Sequence, residues 1–221
     1  LRQAAPHAVR ARTQQTAAAL AAHALRHPGE PYHVVSVGAG PALDVCQALS
    51  LLPETRRASL HVTLLDMDPN ALDAARQRIG PLLACGTAAL DPSGAPASRQ
   101  LACVRTNLFR LAQPSSAKSL PEAIDFLVCS GLFDYLAEEP AASLVELFWQ
   151  RLASGGLLLV GNFAPHNPSR AYMEWIGNWY LTYRTRGQME QLAAQAGIPP
   201  ACLAVGCERT GIDLFLIARK P

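Results

Sequence analysis

Residues 37–42 have the sequence Val-Gly-Ala-Gly-Pro-Ala and lie between a β-branched run, His33–Val37, and a helix-forming stretch, Ala42–Leu52. The order is strand, glycine turn, helix. Gly38 and Gly40 have no Cβ, so backbone N–H groups of the turn can approach a ligand closely, and the next helix directs its N-terminus at the same place. Two glycines in this spacing also occur in tight turns that bind nothing, so a ligand site needs support from other residues.

The second predicted strand, Leu60–Leu65, ends at an acidic side chain that gives this support. Asp66 follows the strand directly, and Asp68 precedes a predicted helix, Pro69–Ile79. A carboxylate at the end of the strand beside the glycine turn is placed to accept hydrogen bonds from both hydroxyls of a ribose. Met67 is then expected to lie against an adenine ring. A helix cap is the alternative role for Asp66, but Asp68 is better placed to cap the helix.

The rest of the chain continues the alternation of strands and helices. Strands are predicted for Leu101–Arg105, Ile124–Cys129 and Leu157–Val160, helices for 8–27, Pro140–Leu152 and Gln188–Ala196, a loop for 84–99 and a turn at Ser154-Gly155-Gly156. Such alternation forms a parallel sheet with helices on both faces. Cys202–Cys207 and Ile212–Ala218, joined by a short link with glycine, are typical of a hairpin. The sequence predicts one α/β domain over 31–221, preceded by an N-terminal helical segment over 1–30.

Composition and charge exclude several functions. The 19 Lys and Arg against 17 Asp and Glu give a net charge of +2, without the basic stripe of a nucleic-acid-binding protein. No apolar run approaches the ~18 residues that cross a bilayer. The six cysteines show neither a CxxC pair nor metal-ligand spacing with histidine, which predicts reduced thiols, no metal site and a cytoplasmic protein. A small molecule is the expected partner, and the oligomeric state is left open.

A nicotinamide dinucleotide is one adenosine-containing ligand that would use a strand-end carboxylate. Its fingerprint has three glycines, GxGxxG, and Leu43 stands at the third position. A leucine there crowds the approach of a pyrophosphate, and the terminal hairpin belongs to a different branch of folds. A dinucleotide-dependent oxidoreductase is therefore disfavoured and stays an alternative.

The glycine turn, the acidic residue after the second strand, the apolar fourth strand and the closing hairpin together resemble the class I S-adenosylmethionine-dependent methyltransferases, over nearly the whole chain. The resemblance implies a Rossmann-like, seven-stranded, mostly parallel sheet of order 3-2-1-4-5-7-6 with a C-terminal antiparallel hairpin. It also implies the cofactor S-adenosylmethionine, with S-adenosylhomocysteine as product. In this family the glycine turn, here Gly38, Ala39 and Gly40, contacts the methionine portion of the cofactor. The implied contacts to the ribose and adenine are Asp66, Met67, Asn107 and Leu108. Those on the sulfonium side are Ser130 and Gly131.

The sequence departs from the pattern of these methyltransferases at two positions. They usually have an acid where Ser36 stands and often a glycine where Ala42 stands. Asp44 is the expected substitute for the contact with the methionine amino group. The departures keep a third alternative open, a non-catalytic module with this fold. The N-terminal helix, with Arg10 and Arg12, is predicted either to cover the cofactor or to pack beside the first strand.

Aromatic side chains concentrate after the fifth strand. Six of the 14 aromatic residues fall in this region: Phe163, Tyr172, Trp175, Trp179, Tyr180 and Tyr183. If the region is helical, the four-residue spacing of Trp175, Trp179 and Tyr183 places them on one face. A stripe buried in the core is one interpretation. The other is a lid, inserted at about 163–186, that closes over an apolar substrate at the carboxyl edge of the sheet.

Longer stretches sharpen the resemblance. Ser130–Leu136, Asn167–Trp175 and Tyr183-Arg184-Thr185 resemble bacterial methyltransferases associated with 3-hydroxypalmitic acid methyl ester biosynthesis. This implies methyl transfer to the carboxylate of a hydroxylated fatty acid, with O- or N-methylation of an aromatic small molecule as the alternative. The predicted substrate contacts are Phe133, Arg170, Tyr172, Trp175, Trp179 and Tyr183.

His166 and Tyr135 are the candidate catalytic residues. A carboxylate acceptor has a pKa near ~4–5 and needs no base, so His166, Arg170 or Arg184 would only orient it. A phenol or hydroxyl acceptor needs a proton removed, for which His166 is the candidate. Packing of a helical turn is the alternative role for Phe133 and Tyr135, and Asp134 is a cap or a catalyst.

Overall fold

Seven strands form one sheet in the computed structural model, which describes residues 3–27, 31–84 and 100–221. The strands are β1 Tyr32–Val37, β2 Leu60–Asp66, β3 Leu101–Arg105, β4 Ile124–Cys129, β5 Leu152–Phe163, β6 Leu203–Cys207 and β7 Asp213–Arg219. Their order is β3-β2-β1-β4-β5-β7-β6, with β1 to β5 parallel and β7 antiparallel to both of its neighbours. The predicted order and terminal hairpin are confirmed.

Eight α-helices accompany the sheet within the described ranges. They are α1 Ala4–Arg26, α2 Leu43–Leu51, α3 Glu54–Arg57, α4 Pro69–Leu83, α5 Pro114–Ala117, α6 Glu138–Arg151, α7 Arg170–Trp175 and α8 Arg186–Gln195, with 3-10 turns at Leu108–Arg110, Phe133–Tyr135 and Pro200–Cys202. The predicted loop over 84–99 lies, after its first residue, outside the described residues. Among the described helices, none combines the length and apolarity of a membrane span.

Helices cover both faces of the sheet because alternate strand residues point to opposite sides. Val34 and Phe126, paired on β1 and β4, belong to the cluster that α1, α2 and α4 bury. The next pair along the same strands, Val35 and Leu127, belongs to the cluster under α6 and α8. The sheet is thus the middle layer of three, as the alternation of strands and helices predicts.

α1 extends from the first face to the carboxyl edge of the sheet. Leu20, in its second half, packs in the same cluster as β1 and α2. Ala5 and Ala8, in its first turns, instead contact Phe163 at the end of β5. The N–H of Ala5 donates to Oγ of Ser169 at 3.0 Å. The first half of α1 therefore lies at the edge of the sheet where the ligand site is expected.

β5 is longer than predicted because its glycines are part of the strand. Residues 154–156 were predicted to turn the chain, but β5 already begins at Leu152. A Cβ on Gly156 would lie 2.7 Å from the carbonyl oxygen of Ile124, and the β4–β5 register shifts between Ile124 and Phe126. Glycine here marks a close approach of two backbones at a bulge.

The aromatic region after β5 is not one continuous helix. α7 ends at Trp175, and Asn178, with φ of 46°, follows Gly177. The N–H of Trp179 then returns to the carbonyl of Met173 at 2.9 Å. The prediction that Trp175, Trp179 and Tyr183 share one helical face is therefore wrong, because the Gly-Asn pair ends the helix between them.

Candidate functional site

The glycine turn after β1 is held against the end of β2. The N–H groups of Gly38 and Ala39 both donate to the carbonyl of Leu65, at 2.9 and 3.1 Å. Gly38 and Gly40 have φ of 66° and 51°, in the left-handed region that glycine adopts without strain. This geometry requires glycine and fixes the turn at the carboxyl edge.

In a parallel sheet of this order, ligands bind at the carboxyl edge where the strand order reverses, between β1 and β4, and we call this place beside Gly38 the crevice. A Cβ added there would contact Leu108, after β3, and Leu132, after β4, each at 3.7 Å. Leu108 is buried, while the neighbouring Asn107 is exposed and its Oδ1 accepts the N–H of Phe109. Gly38 therefore lies where the segments that follow β1, β3 and β4 meet.

Asp66 lies at the mouth of this crevice with both carboxylate oxygens anchored. Oδ2 accepts the N–H of Gly40 at 2.7 Å, and Oδ1 accepts the N–H of Asp68 at 2.9 Å. Asp68 caps α4 through the N–H of Asn70, so Asp66 is free of that task. Each anchored oxygen keeps an acceptor position, which is what two ribose hydroxyls require.

The other predicted cofactor residues lie at the same edge. Met67 is exposed after β2, Ser130 and Gly131 are half-buried after β4, and Asp44 is in the first turn of α2. The fold therefore brings the predicted set to the ends of four adjacent strands.

The two departures from the methyltransferase pattern have visible consequences. Ala42 has φ of 48°, a left-handed conformation that costs a residue with a Cβ about 1–2 kcal/mol and glycine much less. Ser36 is buried within β1. Leu43, which replaces the third glycine of a dinucleotide fingerprint, is exposed at the start of α2.

Arg12 of α1 reaches across the ends of β4 and β5. Its Nη1 donates to Oδ2 of Asp213, the first residue of β7, at 2.6 Å. Its guanidinium lies 5.9 Å from the ring centroid of Phe163. A Cβ on Gly131 would lie 3.8 Å from Nη2. α1 therefore contributes a cation to the predicted site, which favours the covering role over simple packing beside β1.

Three carboxylates share the charge of this guanidinium, and we call Arg12, Asp44, Asp134 and Asp213 the arginine cluster. Burial raises the pKa of Asp213 to about 7 and that of Asp134 to about 6. Burial also raises the pKa of Asp44. In each case the positive charge of Arg12 opposes the increase. The cluster thus holds three carboxyl groups where burial disfavours their charged form, and Arg12 is the cation that partly offsets this effect.

Asp213 is a site residue that no motif in the sequence indicates. Arg12 and Asp213 are 201 positions apart, so no local pattern joins them. The one available signal was an aspartate at the start of an otherwise apolar strand. Asp134 was considered as a cap or a catalyst, and its Oδ1 instead accepts the N–H of Phe163 at 2.8 Å, tying the turn after β4 to β5.

Arg184 is fully buried and binds backbone rather than ligand. Nη1 donates to the carbonyl of Phe133 at 2.8 Å and to Oδ1 of Asn162 at 2.6 Å, and Nη2 donates to the carbonyl of Leu136 at 2.7 Å. Nε pairs with the exposed Glu138 at 3.1 Å. The prediction that Arg184 orients a substrate carboxylate is therefore wrong, because its side chain has no surface left to offer.

The aromatic side chains are mostly exposed. Trp175 is 85% exposed, and Tyr172 and Trp179 are 50% and 42% exposed. Trp179 Nε1 donates to the hydroxyl of Tyr135 at 2.9 Å, which joins this region to the turn after β4. A buried core stripe is therefore wrong for these residues, while Phe163 is in the core.

The remaining candidates separate into packing and surface positions. Phe133 is fully buried and lies 6.4 Å from Phe148 between ring centroids, which favours the packing alternative. His166 is exposed, and its Nε2 donates to the carbonyl of Gly211 at 2.8 Å. Arg170 pairs with Glu174 at 2.7 Å, and its guanidinium covers the Tyr183 ring at 4.6 Å.

No family model and no curated protein matches the sequence. Solved structures do. A protein of Bordetella parapertussis described as a possible exported protein matches with a TM-score of 0.70 and 24% identity, over 100% of this chain and 70% of its own. Magnesium protoporphyrin IX methyltransferase (ChlM) from Synechocystis PCC 6803, with bound SAH, matches with a TM-score of 0.63 and 17% identity, over 94% and 83%. An O-methyltransferase family protein from Burkholderia thailandensis matches with a TM-score of 0.60 and 18% identity, over 94% and 56%. The chain thus has the Rossmann-like fold of the methyltransferases.

Proposed function

We propose that this protein is an S-adenosylmethionine-dependent methyltransferase. The observation that carries the proposal is the Asp66 carboxylate, fixed 2.7 Å from the N–H of Gly40 beside the crevice at Gly38. The fold supports it, because ChlM has the same fold and binds SAH. Leu43 favours this cofactor over a nicotinamide dinucleotide.

The residues around the crevice divide the work of holding the cofactor. Asp66 would accept the ribose hydroxyls, Met67 and Leu108 offer apolar surface to the adenine, and Gly131 borders the sulfonium end. When bound, the cofactor supplies the methyl group on its sulfonium. The role of the protein is to hold an acceptor in line with that methyl group. Positioning of this kind can lower the activation free energy by about 7–11 kcal/mol in principle.

The acceptor we propose is a small apolar molecule methylated on a carboxylate, such as a hydroxylated fatty acid. Tyr172, Trp175 and Trp179 supply exposed apolar surface in the region that follows β5, next to the proposed cofactor site. A second candidate is an aromatic small molecule, favoured by the exposed Tyr135 and Trp179 side chains, which a hydrogen bond holds together and which offer aromatic surface.

The absence of a well-placed base among the predicted catalytic residues favours a carboxylate acceptor over a phenol or hydroxyl. The carboxylate oxygen is already ionised at neutral pH and needs no base. His166 is on the exposed rim, bound to the carbonyl of Gly211. The Tyr135 oxygen accepts from Trp179, which leaves its own O–H to donate to an acceptor oxygen. Both side chains are thus better placed to orient an acceptor than to deprotonate one.

Calorimetry with S-adenosylmethionine, S-adenosylhomocysteine and NAD tests the cofactor. We expect the first two to bind and NAD not to bind. Asp66→Ala should weaken the binding of S-adenosylhomocysteine by at least about 100-fold, because two hydrogen bonds to a charged acceptor, each of about 1.5–3 kcal/mol, are lost. Asp73→Asn, an exposed carboxylate on α4, is the matched control and should have no effect. Binding of NAD alone would support an oxidoreductase, and binding of none would support a non-catalytic module.

A panel of hydroxy acids, phenols and amines tests the acceptor. With S-adenosylmethionine present, a hydroxylated fatty acid should gain the mass of one methyl group, and the product should be an ester that alkali hydrolyses. A methyl group found on a phenol or an amine instead would overturn the carboxylate assignment while leaving the methyltransferase proposal intact.

A further inference from the structure

Arg12 has hydrogen-bonding capacity that the fold does not use. Nη1 is committed to Asp213, and its other N–H groups make no hydrogen bond within the described part of the chain. Nη2 lies next to Gly131, which has no side chain to cover it. The side chain is 12% exposed, so these donors border the open edge while their stem is buried. A guanidinium held in this way presents a fork suited to a carboxylate.

Burial of the Asp213 carboxylate costs free energy that its packing does not return. Its side chain is fully buried, Oδ2 takes the hydrogen bond from Arg12, and Oδ1 has no partner. A buried carboxylate with one oxygen unsatisfied destabilises a fold, and an apolar residue would often be at least as stable. What Asp213 supplies is a fixed direction for the Arg12 guanidinium.

The place of this pair matches one part of the proposed cofactor. Arg12 lies among the ends of β4 and β5 and the start of β7, over Phe163, and its charge also reaches Asp44 at the start of α2. The adenosine residues lie on the other side, at the ends of β2 and β3. A ligand whose ribose is at Asp66 and whose sulfur is at Gly131 would extend its amino-acid group toward Arg12.

We propose that Arg12 binds the carboxylate of the cofactor's amino-acid group, with Asp213 as the residue that positions it. The inference rests on the proposed function. Asp44, in the first turn of α2, is then available to the ammonium of that group. One guanidinium and one separate carboxylate thus match the two opposite charges of an amino acid.

Two ligands separate this role from adenosine binding. S-adenosylhomocysteine has the amino-acid group, while 5′-methylthioadenosine keeps the adenosine and the thioether sulfur without it. For Arg12→Gln we expect the calorimetric affinity for S-adenosylhomocysteine to fall about 10- to 100-fold, as for a lost hydrogen bond between charged groups. The affinity for 5′-methylthioadenosine should change less than about threefold. Arg10→Gln, an exposed arginine on the same helix, should change neither affinity.

Two further variants test the pairing. Arg12→Lys keeps a charge for Asp213 but loses the two-pronged donor geometry of the guanidinium. The affinity for S-adenosylhomocysteine divided by that for 5′-methylthioadenosine should therefore fall, but less than in Arg12→Gln. Asp213→Asn should lower the same ratio because a neutral amide oxygen holds the guanidinium more weakly than a carboxylate does, and a merely structural role would weaken the binding of both ligands equally. These two variants also carry the test if Arg12→Gln does not fold.

Three outcomes would overturn the inference. Equal loss of both ligands in the Arg12 variants would assign Arg12 to the fold. Unchanged affinity for both ligands would mean that Arg12 binds neither of them. A loss confined to the binding of an acid acceptor would mean that Arg12 binds the carboxylate of the acceptor instead. Failure of the wild-type protein to bind either ligand would contradict the proposed function itself, which distinguishes the two failures.

Discussion

Replacing Arg184 by methionine tests how the aromatic region is fixed to the sheet. Methionine has a similar length and is apolar, so it fills much of the same space without donating a hydrogen bond. The change leaves the carbonyls of Phe133 and Leu136 and the amide of Asn162 without their buried donors. Leu136 and Phe133 belong to the turn after β4, so the change loosens the two segments that border the proposed acceptor site.

The magnitude follows from the count of orphaned acceptors. Each buried acceptor that loses its donor costs about 1–3 kcal/mol, and removal of one member of a buried charged network costs about 3–5 kcal/mol in total. The ion pair with Glu138 adds little because Glu138 is 54% exposed. For a chain of this size, a loss of this order lowers Tm by roughly 6 to 20 °C.

The assay is urea and thermal unfolding followed by circular dichroism. Arg170→Met is the matched control, since it removes a half-exposed arginine whose ion pair with Glu174 is at the surface. We expect the control to change the free energy of unfolding by less than about 1 kcal/mol. A melting temperature of Arg184→Met within about 2 °C of the wild type would refute the reasoning that this network anchors the region.

Three further predictions concern stability. His23 binds the hydroxyl of Tyr32 at 2.6 Å, and burial lowers its pKa to about 4, so the unfolded chain takes up a proton near pH 6.5 before the folded one does. The free energy of unfolding should therefore fall as pH drops from about 6.5 to 4, and fall less in His23→Gln, measured by urea unfolding at pH 7.5 and 5. Gly38→Ala should lower the free energy of unfolding by about 1–2 kcal/mol because of its left-handed φ, and should also weaken the binding of S-adenosylhomocysteine. Gly197→Ala, with φ of 72° and open space around it, should lower the free energy of unfolding without changing this binding. Burial raises the pKa of Asp213 to about 7, against about 3.9 in the unfolded chain, so its contribution to the free energy of unfolding is fully present below pH 4 and is lost as pH rises through 7. In thermal melts, Asp213→Asn should therefore show a smaller fall in Tm over this pH range.

The local pattern of the sequence predicts the strands best where they are short and mostly apolar. The bounds predicted for Leu101–Arg105 and Ile124–Cys129 agree with β3 and β4. β5 could not be predicted in the same way, because its glycines are required by the approach of Gly156 to Ile124 on a neighbouring strand. The sequence shows a glycine, but not whether a turn or a partner strand requires it.

The same distinction separates the two halves of the candidate site. Asp66 follows β2 and lies beside the turn after β1, so strand order alone places it next to Gly40. The arginine cluster depends on a helix near one end of the chain meeting a strand near the other, and no periodicity records that contact. Arg12, Asp44 and Asp134 were named from the sequence, but Asp213 and its pairing with Arg12 are a property of the folded chain.

The distribution of positive charge at the carboxyl edge bears on the class of acceptor. If Arg12 binds the cofactor and Arg184 is committed to backbone, Arg170 is the arginine that the aromatic region still presents, with its guanidinium on the Tyr183 ring and about half exposed. An acid acceptor would then be oriented by Arg170, and Arg170→Gln should raise KM for that acid about three- to tenfold, as for a partly desolvated ion pair. KM for a neutral phenol should not change, nor should either KM in Arg209→Gln, an exposed arginine after β6. Equal effects on acid and phenol would mean that Arg170 acts through the packing of Tyr183, and the carboxylate acceptor would lose its cation.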